Sequence, residues 1–182
     1  LEDQRLVRDP NPPPPVILVP AATNRPAVVA PPPPSDLLRL LEDPEGRVRR
    51  RAALALGRVG LPDAVAGLTA HLASDDEFEV RQMSAFALGL IGDVSARPAL
   101  LAALKDPNPV VQGRAAEALG LLGDRADAPA VSDMVRTQIA AGALRTIQPD
   151  DLGYPLAPEV EATRLGLFAL VRLGSYDALA AA

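Results

Sequence analysis

The stretch RVRRRAALALGRVG (47–60) returns twice along the chain, as EVRQMSAFALGLIG (79–92) and VVQGRAAEALGLLG (110–123). The glycines that close the three copies stand 32 and then 31 residues apart. A period of about 20 to 50 residues is typical of solenoids, in which each unit packs only on its neighbours. The sequence therefore predicts a repeat array.

Each copy places small or apolar residues at the same five positions, separated by steps of four, three, one and three. At about 100° per residue these positions share one face of a helix, so each copy is predicted to be an amphipathic helix. In the first copy the positions are Val48, Ala52, Ala55, Leu56 and Val59. A weaker fourth copy has Ala162, Gly166, Ala169, Leu170 and Leu173, closed by Gly174.

A shorter leucine-rich stretch precedes each of the three copies and stops near an aspartate. The three stretches are SDLLRLLED (35–43), AVAGLTAHLASD (64–75) and ARPALLAALKD (96–106). Leucines at helical spacing predict helices, and Pro44 and Pro107 end two of them. The repeating unit is therefore helix, short turn, second helix and glycine.

Two glycines, three residues apart, recur at the end of each second helix. The later ones are predicted to be C-terminal caps in left-handed backbone. The earlier ones lie inside the helix, where Gly costs about 1 kcal/mol relative to Ala. Their recurrence predicts that a neighbouring helix comes too close for a Cβ, with early fraying of the helix as the alternative. The pairs are Gly57 and Gly60, Gly89 and Gly92, and Gly120 and Gly123.

The unit resembles the HEAT repeat, and within that family the short bacterial subtype named after phycobilisome lyases. The shared pattern of about 31 residues is L-L-x-x-L-x-D-x-x-x-x-V-R-x-x-A-A-x-A-L-G-x-L-G-D. The matching residues include Leu41, Asp43, Val48 and Arg49 with 52–57; Leu72, Asp75, Val80 and Arg81 with 87–92; and Leu104, Asp106 and Val111 with 115–124. The resemblance implies an all-α fold, an α-solenoid of about four helix pairs.

The resemblance also implies a ladder of ion pairs between repeats, formed by the turn aspartate and the arginine that opens the second helix. Asp43, Asp75 and Asp106 would pair with Arg49 and Arg81. Gln112 stands where the third arginine is expected, so the ladder should weaken there.

Two segments depart from the repeat. Residues 1–34 contain two runs of four prolines around VILV and AVV, and they are predicted to form an extended arm or insertion. The solenoid is assigned to 35–182, with an insertion near 137–158 that begins as helix and ends as a loop. The repeats are placed at about 35–64, 65–96, 97–128 and 129–182.

Composition narrows the chemistry available to the chain. The net charge is -5, which disfavours nucleic acid as a partner, and no run of apolar residues is long enough to span a membrane. The chain has no Cys and a single His, so no metal site, cofactor or catalytic constellation is predicted, and the chain is expected not to be an enzyme. His71 is interpreted as a half-exposed packing residue, and the acidic turn 75–79 as solvated.

A stripe beside the core face of the second helices is the candidate site. Its members repeat at positions three, six and ten after each opening apolar residue, and second helices line the concave face in this fold. Contact between repeats and a groove for an extended peptide are both open interpretations. The candidates are Arg51, Leu54, Met83, Phe86, Leu90, Arg114, Glu117, Leu165 and Phe168, flanked by Arg58, Leu121 and Arg172.

The function predicted from these observations is non-catalytic protein–protein interaction, as a scaffold module within a larger bacterial protein. The expected partner is a protein or extended peptide, including the chain's own arm. An accessory segment of an enzyme whose catalytic domain lies elsewhere, and a chromophore-lyase-like protein, stay as alternatives. Both termini look truncated, so a cytoplasmic and an exported location are left open.

Overall fold

The computed structural model describes residues 36–146 and 156–177. The predicted arm and the middle of the predicted insertion lie outside these residues. The described residues form eight α-helices, with no strand among them, so the predicted all-α solenoid of four helix pairs is confirmed. The helices are α1 Asp36–Leu41, α2 Gly46–Val59, α3 Val65–Ser74, α4 Phe78–Ile91, α5 Arg97–Ala103, α6 Pro109–Leu122, α7 Ala128–Ala140 and α8 Pro158–Arg172.

A 3-10 turn precedes the first helix of the second, third and fourth pairs. In the third and fourth pairs an aspartate side chain caps this turn: Asp93 accepts from the Ser95 N–H at 2.8 Å and Asp124 from the Ala126 N–H at 3.0 Å. The turns are Pro62–Ala64, Val94–Ala96 and Arg125–Asp127.

The helix at the start of the predicted insertion is short. The insertion begins as helix, as expected, but α7 ends at Ala140, so only residues 137–140 of the insertion belong to that helix. Gly142 follows in left-handed backbone, with φ of 102°, and turns the chain into a short 3-10 segment, Ala143–Thr146. Glycine adopts this conformation readily, whereas a residue with a Cβ is disfavoured in it, so Gly142 is the residue at which the chain leaves the helical path.

The second helices α2, α4, α6 and α8 pack side by side along the array, whereas the first helices of neighbouring pairs barely meet. An array bends when its helices touch along one row and separate along the other. The row of touching helices then lies on the inside of the bend. The second helices therefore form the concave face, and the core is the seam of Ala, Leu and Val between the two rows.

The glycines inside the second helices explain the close packing of the inner row. A Cβ on Gly57 would lie 2.6 Å from the Cα of Ala87, one on Gly89 2.7 Å from the Cα of Ala118, and one on Gly120 2.9 Å from the Cα of Ala169. Real carbon atoms do not approach so closely, so the prediction that these glycines admit a neighbouring helix is confirmed. Gly60, Gly92 and Gly123 are confirmed as left-handed caps, with φ of 70°, 76° and 79°.

Candidate functional site

The predicted stripe lies on the inner face of the second helices, with its members exposed to different degrees. Leu90 and Phe168 are the most exposed apolar members, at 40% and 46% of their surface. Arg51 is also exposed. Half-buried members are Leu54, Met83, Phe86, Arg114 and Glu117.

Leu165 does not line a surface. It is 2% exposed, and its Cδ1 would lie 3.2 Å from a Cβ placed on Gly113, so it fills the space between α6 and α8. Its inclusion in a groove is therefore wrong, because the glycine opposite lets α8 approach until the leucine is enclosed. For this position the interpretation as contact between repeats holds.

Arg114 joins three helices at the middle of the stripe. Its guanidinium carbon lies 5.2 Å from the centroid of the Phe86 ring, and its Nη1 donates to Glu117 Oε2 at 2.7 Å. From α8, Glu161 has a lowered pKa because Arg164 donates to it, burial opposes the shift, and the charges of Arg164 and Arg114 add to it. The Arg114 head is thus fixed over the aromatic ring with its charge partly neutralised.

A second arginine and phenylalanine pair lies further along the face, on α8. The Arg172 guanidinium carbon is 5.9 Å from the Phe168 ring centroid, and its Nε donates to the Gly120 carbonyl at 3.2 Å. Each pair places one cationic group beside an aromatic ring, of which Phe168 is exposed and Phe86 half-buried. Such a surface suits apolar and acidic side chains of an extended segment.

The ion-pair ladder runs along the turns between the helices of each pair. Arg49 donates from Nε and Nη2 to the two oxygens of Asp75, both at 2.8 Å, and from Nη1 to the Asp43 carbonyl at 3.0 Å. Arg81 repeats this with Asp106, at 2.8 and 3.1 Å, and with the Asp75 carbonyl at 2.8 Å. Each arginine thus joins the turn of its own repeat to the aspartate of the next.

Asp75 and His71 are both placed differently from the sequence interpretation. Asp75 is buried rather than solvated, and His71 Nδ1 lies 2.9 Å from its Oδ2 while His71 Nε2 lies 3.3 Å from Glu42 Oε1. Burial by itself raises the pKa of Asp75, but hydrogen bonds from Arg49, the Glu77 N–H and His71 outweigh it and lower the pKa to about 2. His71 is therefore a polar partner of the ladder, which its apolar neighbours in sequence concealed.

The third step of the ladder is built without ions. Gln112 Nε2 donates to the Asp106 carbonyl at 2.6 Å, and its Oε1 accepts from Gln138 Nε2 at 2.8 Å. Gln138, on α7, is 5% exposed. An amide pair thus replaces the guanidinium and the carboxylate at this junction.

A further ion pair, which the sequence pattern did not indicate, joins the first helices at this same junction. Arg97, at the start of α5, donates from Nε to Asp127 at 2.8 and 3.0 Å, and Asp127 is 1% exposed. The two residues are 30 apart, close to the repeat period, which is the signal that could have suggested their pairing.

Two open pockets accompany these contacts. One, of about 450 Å³, lies between α5, α6 and α7 over Leu101, Leu104 and Met134. The other, of about 500 Å³, lies beside the first ladder step around Glu42, His71 and Asp76. Over residues 36–146 and 156–177, no group of three or more His, Asp or Glu side chains is arranged to hold a metal ion, and no helix is long and apolar enough to cross a membrane.

Comparison with solved structures finds the same architecture in other proteins. A chain in the structure of the complex of CpcE and CpcF of phycocyanin lyase from Nostoc sp. PCC7120 is 26% identical, with a TM-score of 0.63 over 87% of this chain. The match covers 60% of that chain, so the present chain spans less than two thirds of its length. An engineered protein is 20% identical, with a TM-score of 0.51 over 80% of this chain and 66% of its own, and it shares the fold alone.

Comparison by sequence agrees with the structural matches. No curated protein matches the chain. A sequence profile of HEAT repeats matches residues 34–87 and 67–147, together more than half of the chain. The repeated helix pairs, the ladder and this match confirm the resemblance seen in the sequence: the chain belongs to the HEAT-repeat family.

Proposed function

We propose that the chain is a protein-interaction module whose inner face binds an extended segment of a partner. The observation that carries this proposal is the apolar surface on that face, made of exposed Leu90 and Phe168 and half-buried Phe86, with an arginine beside each of the two rings. We propose a scaffold role on the same observation, because the described part of the inner face offers a continuous contact surface.

The first ligand to test is the chain's own arm. A labelled peptide of residues 10–34 is titrated into the chain lacking 1–34, with binding followed by fluorescence anisotropy. We expect saturable binding that weakens at least about tenfold, or about 1.4 kcal/mol, when Phe86 and Phe168 are both changed to Ala. Val94→Ala is the matched control, since Val94 is a more exposed apolar residue on a turn, at 72%.

Deleting the arm gives an independent readout. If the arm covers the inner face, its removal lowers the melting temperature and increases the binding of a hydrophobic dye. An unchanged melting temperature, with no new apolar surface and no peptide binding, would rule the arm out as the ligand and leave a separate partner protein.

A lyase-like role is the second candidate, and the similarity to a chain of a phycocyanin lyase complex favours it. This role would conflict with the expectation that the chain is not an enzyme. That expectation therefore stays a prediction. Mixing the protein with a free bilin and recording visible absorbance tests the role: a new band that Phe86→Ala and Phe168→Ala abolish would support it. An accessory role beside a catalytic domain encoded elsewhere also stays a prediction.

A further inference from the structure

At each junction between repeats the earlier and the later repeat contribute different residues, and the first two junctions show which residues each one contributes. The earlier repeat supplies an arginine and, eight residues later in the same helix, a glycine: Arg49 with Gly57, and Arg81 with Gly89. We name this side the donor edge. The later repeat supplies a turn aspartate that receives the arginine and an alanine that faces the glycine.

We name this second side the acceptor edge, and its helix positions are fully covered wherever a repeat precedes it. In α4 and α6 the apolar residue that opens the helix and the alanine seven residues later have no exposed surface. The alanines are those that the glycine Cβ atoms would strike. The four residues are Val80 and Ala87 in α4, and Val111 and Ala118 in α6.

Helix α8 has lost both features of a donor edge. Thr163 stands at the position of Arg49 and Arg81, and its hydroxyl donates to the Glu159 carbonyl of its own helix at 2.8 Å. Val171 stands two residues after Ala169, where Gly89 follows Ala87, and it is 49% exposed. A Val at this position holds any further helix away, so α8 does not offer the close junction that the earlier second helices offer.

The first repeat keeps every feature of an acceptor edge. Asp43 Oδ1 accepts from the Glu45 N–H at 2.8 Å, as Asp75 and Asp106 accept from the residue two positions on. Over the described residues no guanidinium reaches the Asp43 carboxylate. The helix positions of this edge, Val48 and Ala55, are half-exposed.

We propose that this edge of α1 and α2 is an interface for a HEAT-like helix pair of a partner protein. The partner's second helix carries an arginine in its first turn and a glycine eight residues later. The proposal rests on continuity with two junctions inside the chain and on the carboxylate of Asp43, which matches the missing guanidinium in charge and geometry. A second copy of this chain is not the partner, because its own donor positions are either already packed internally or replaced by Thr163 and Val171.

The experiment places a donor edge against the proposed interface. A duplicate of residues 61–97, which contains Arg81, Gly89 and the turn that leads into the next helix, is inserted before Ser35 in the full chain. The matched control insertion carries Arg81→Thr and Gly89→Val, the residues of α8. We expect the first insertion to raise the melting temperature by about 5 °C or more relative to the control, because each correct junction adds an interface.

A substitution at Asp43 separates true docking from a general effect of the insertion. Asp43→Asn is expected to lower the melting temperature of the inserted chain about as much as Asp75→Asn lowers that of the parent, and to leave the control insertion unchanged. Equal melting temperatures for the two insertions would overturn the proposal. So would an equally large effect of Asp43→Asn in the parent chain, because the edge would then already be covered by the chain itself.

A test between separate molecules covers the case in which the insertion does not fold. The full chain with Thr163→Arg and Val171→Gly gains a donor edge, and sedimentation velocity is expected to show association that grows with concentration. The parent stays monomeric at the same concentration, and Asp43→Asn in the doubly changed chain abolishes the association. A folded double variant that stays monomeric contradicts the proposal.

Discussion

The first two junctions of the inner row and the last one solve the same packing problem with different chemistry. Between α2, α4 and α6, each step combines a bidentate arginine–aspartate pair with one helix crossing at a glycine. Between α6 and α8 the pair is replaced by two glutamine amides, and the helices cross at two glycines seven residues apart, Gly113 and Gly120.

The difference shows that the charged ladder is not what defines the repeat. Gly113 has no counterpart in the earlier copies, where Arg50 and Gln82 stand. A Cβ there would lie 2.7 Å from the Cα of Ala162, so α8 gains a second line of close backbone contact where the ions are missing. Dispersion contacts are small individually but add along a helix, and they can replace one ion pair whose desolvation is costly.

Removing a carboxylate from the ladder should give the largest effect. Asp75→Ala leaves the part-buried Arg49 guanidinium without its partner and removes the acceptor of the Glu77 N–H, so we expect a loss of about 3–5 kcal/mol in the free energy of unfolding. Gln138→Ala at the uncharged junction should cost about 1–2 kcal/mol, because only a neutral hydrogen bond is lost. Urea denaturation of both variants checks the ratio, and equal losses would show that the junctions do not differ in this way.

Filling the helix crossings should give the next largest effect. Gly57→Ala, Gly113→Ala and Gly120→Ala each force two backbones apart, and each should cost about 2–3 kcal/mol. Gly113→Ala and Gly120→Ala act on one junction, so the double variant should lose less than the sum of the two. Strict additivity in denaturation experiments would mean that α8 does not move as a unit.

Acidification should weaken the charged junctions selectively. Because the pKa of Asp75 is lowered to about 2 from an ordinary value of 3.8, its charged form stabilises the fold above about pH 4, and the contribution of about 2 kcal/mol is lost as the pH falls toward 2. Asp75→Asn should flatten this part of the stability curve, measured by urea denaturation at several pH values. Gln138→Ala is the control, because it changes the uncharged junction without adding or removing an acid. It should leave the pH-dependent contribution of Asp75 to the free energy of unfolding in place.

The capping glycines should give the smallest effect and the same one in both regions. Gly92→Ala and Gly123→Ala meet no atom within 4 Å, and their φ angles differ by 3°. Only the left-handed backbone opposes the new side chain, at about 1 kcal/mol each. Thermal unfolding should therefore show equal shifts, and unequal shifts would indicate that the two junctions differ at the caps as well as at the crossings.

The sequence predicted the structural features that recur between repeats and missed the contacts that occur in one repeat alone. The helix pairs, caps, crossings and first two ladder steps follow from residues that recur at the same place in two or more copies. The Gln112–Gln138 pair, the Arg97–Asp127 pair and the second crossing at Gly113 each occur once, so no recurrence in the other copies indicates them, although Arg97 and Asp127 are separated by close to one repeat period. They depend on which side chains the three-dimensional stacking brings together.

The sequence predicted which residues of the candidate site share a helix face, but not how deeply each one is buried or what it contacts. Helical geometry is enough to group Met83, Phe86 and Arg114 on one side of the row. It does not reveal that Leu165 is enclosed, because that depends on the missing side chain of Gly113 in another helix. His71 was misread only partly for the same reason: its partner Glu42 lies 29 residues away in sequence, but its other partner, Asp75, lies four residues away.

The glycine crossings have a consequence for how such a molecule can change. Spacing within the inner row is set by main-chain atoms, which every amino acid shares, together with a Cβ that is absent at one position of α2 and α4 and at two of α6. Substitutions at the exposed members of the neighbouring stripe, such as Arg51, Leu90 and Phe168, therefore leave the pitch of the array untouched. Binding preference can diverge between descendants while curvature is inherited unchanged.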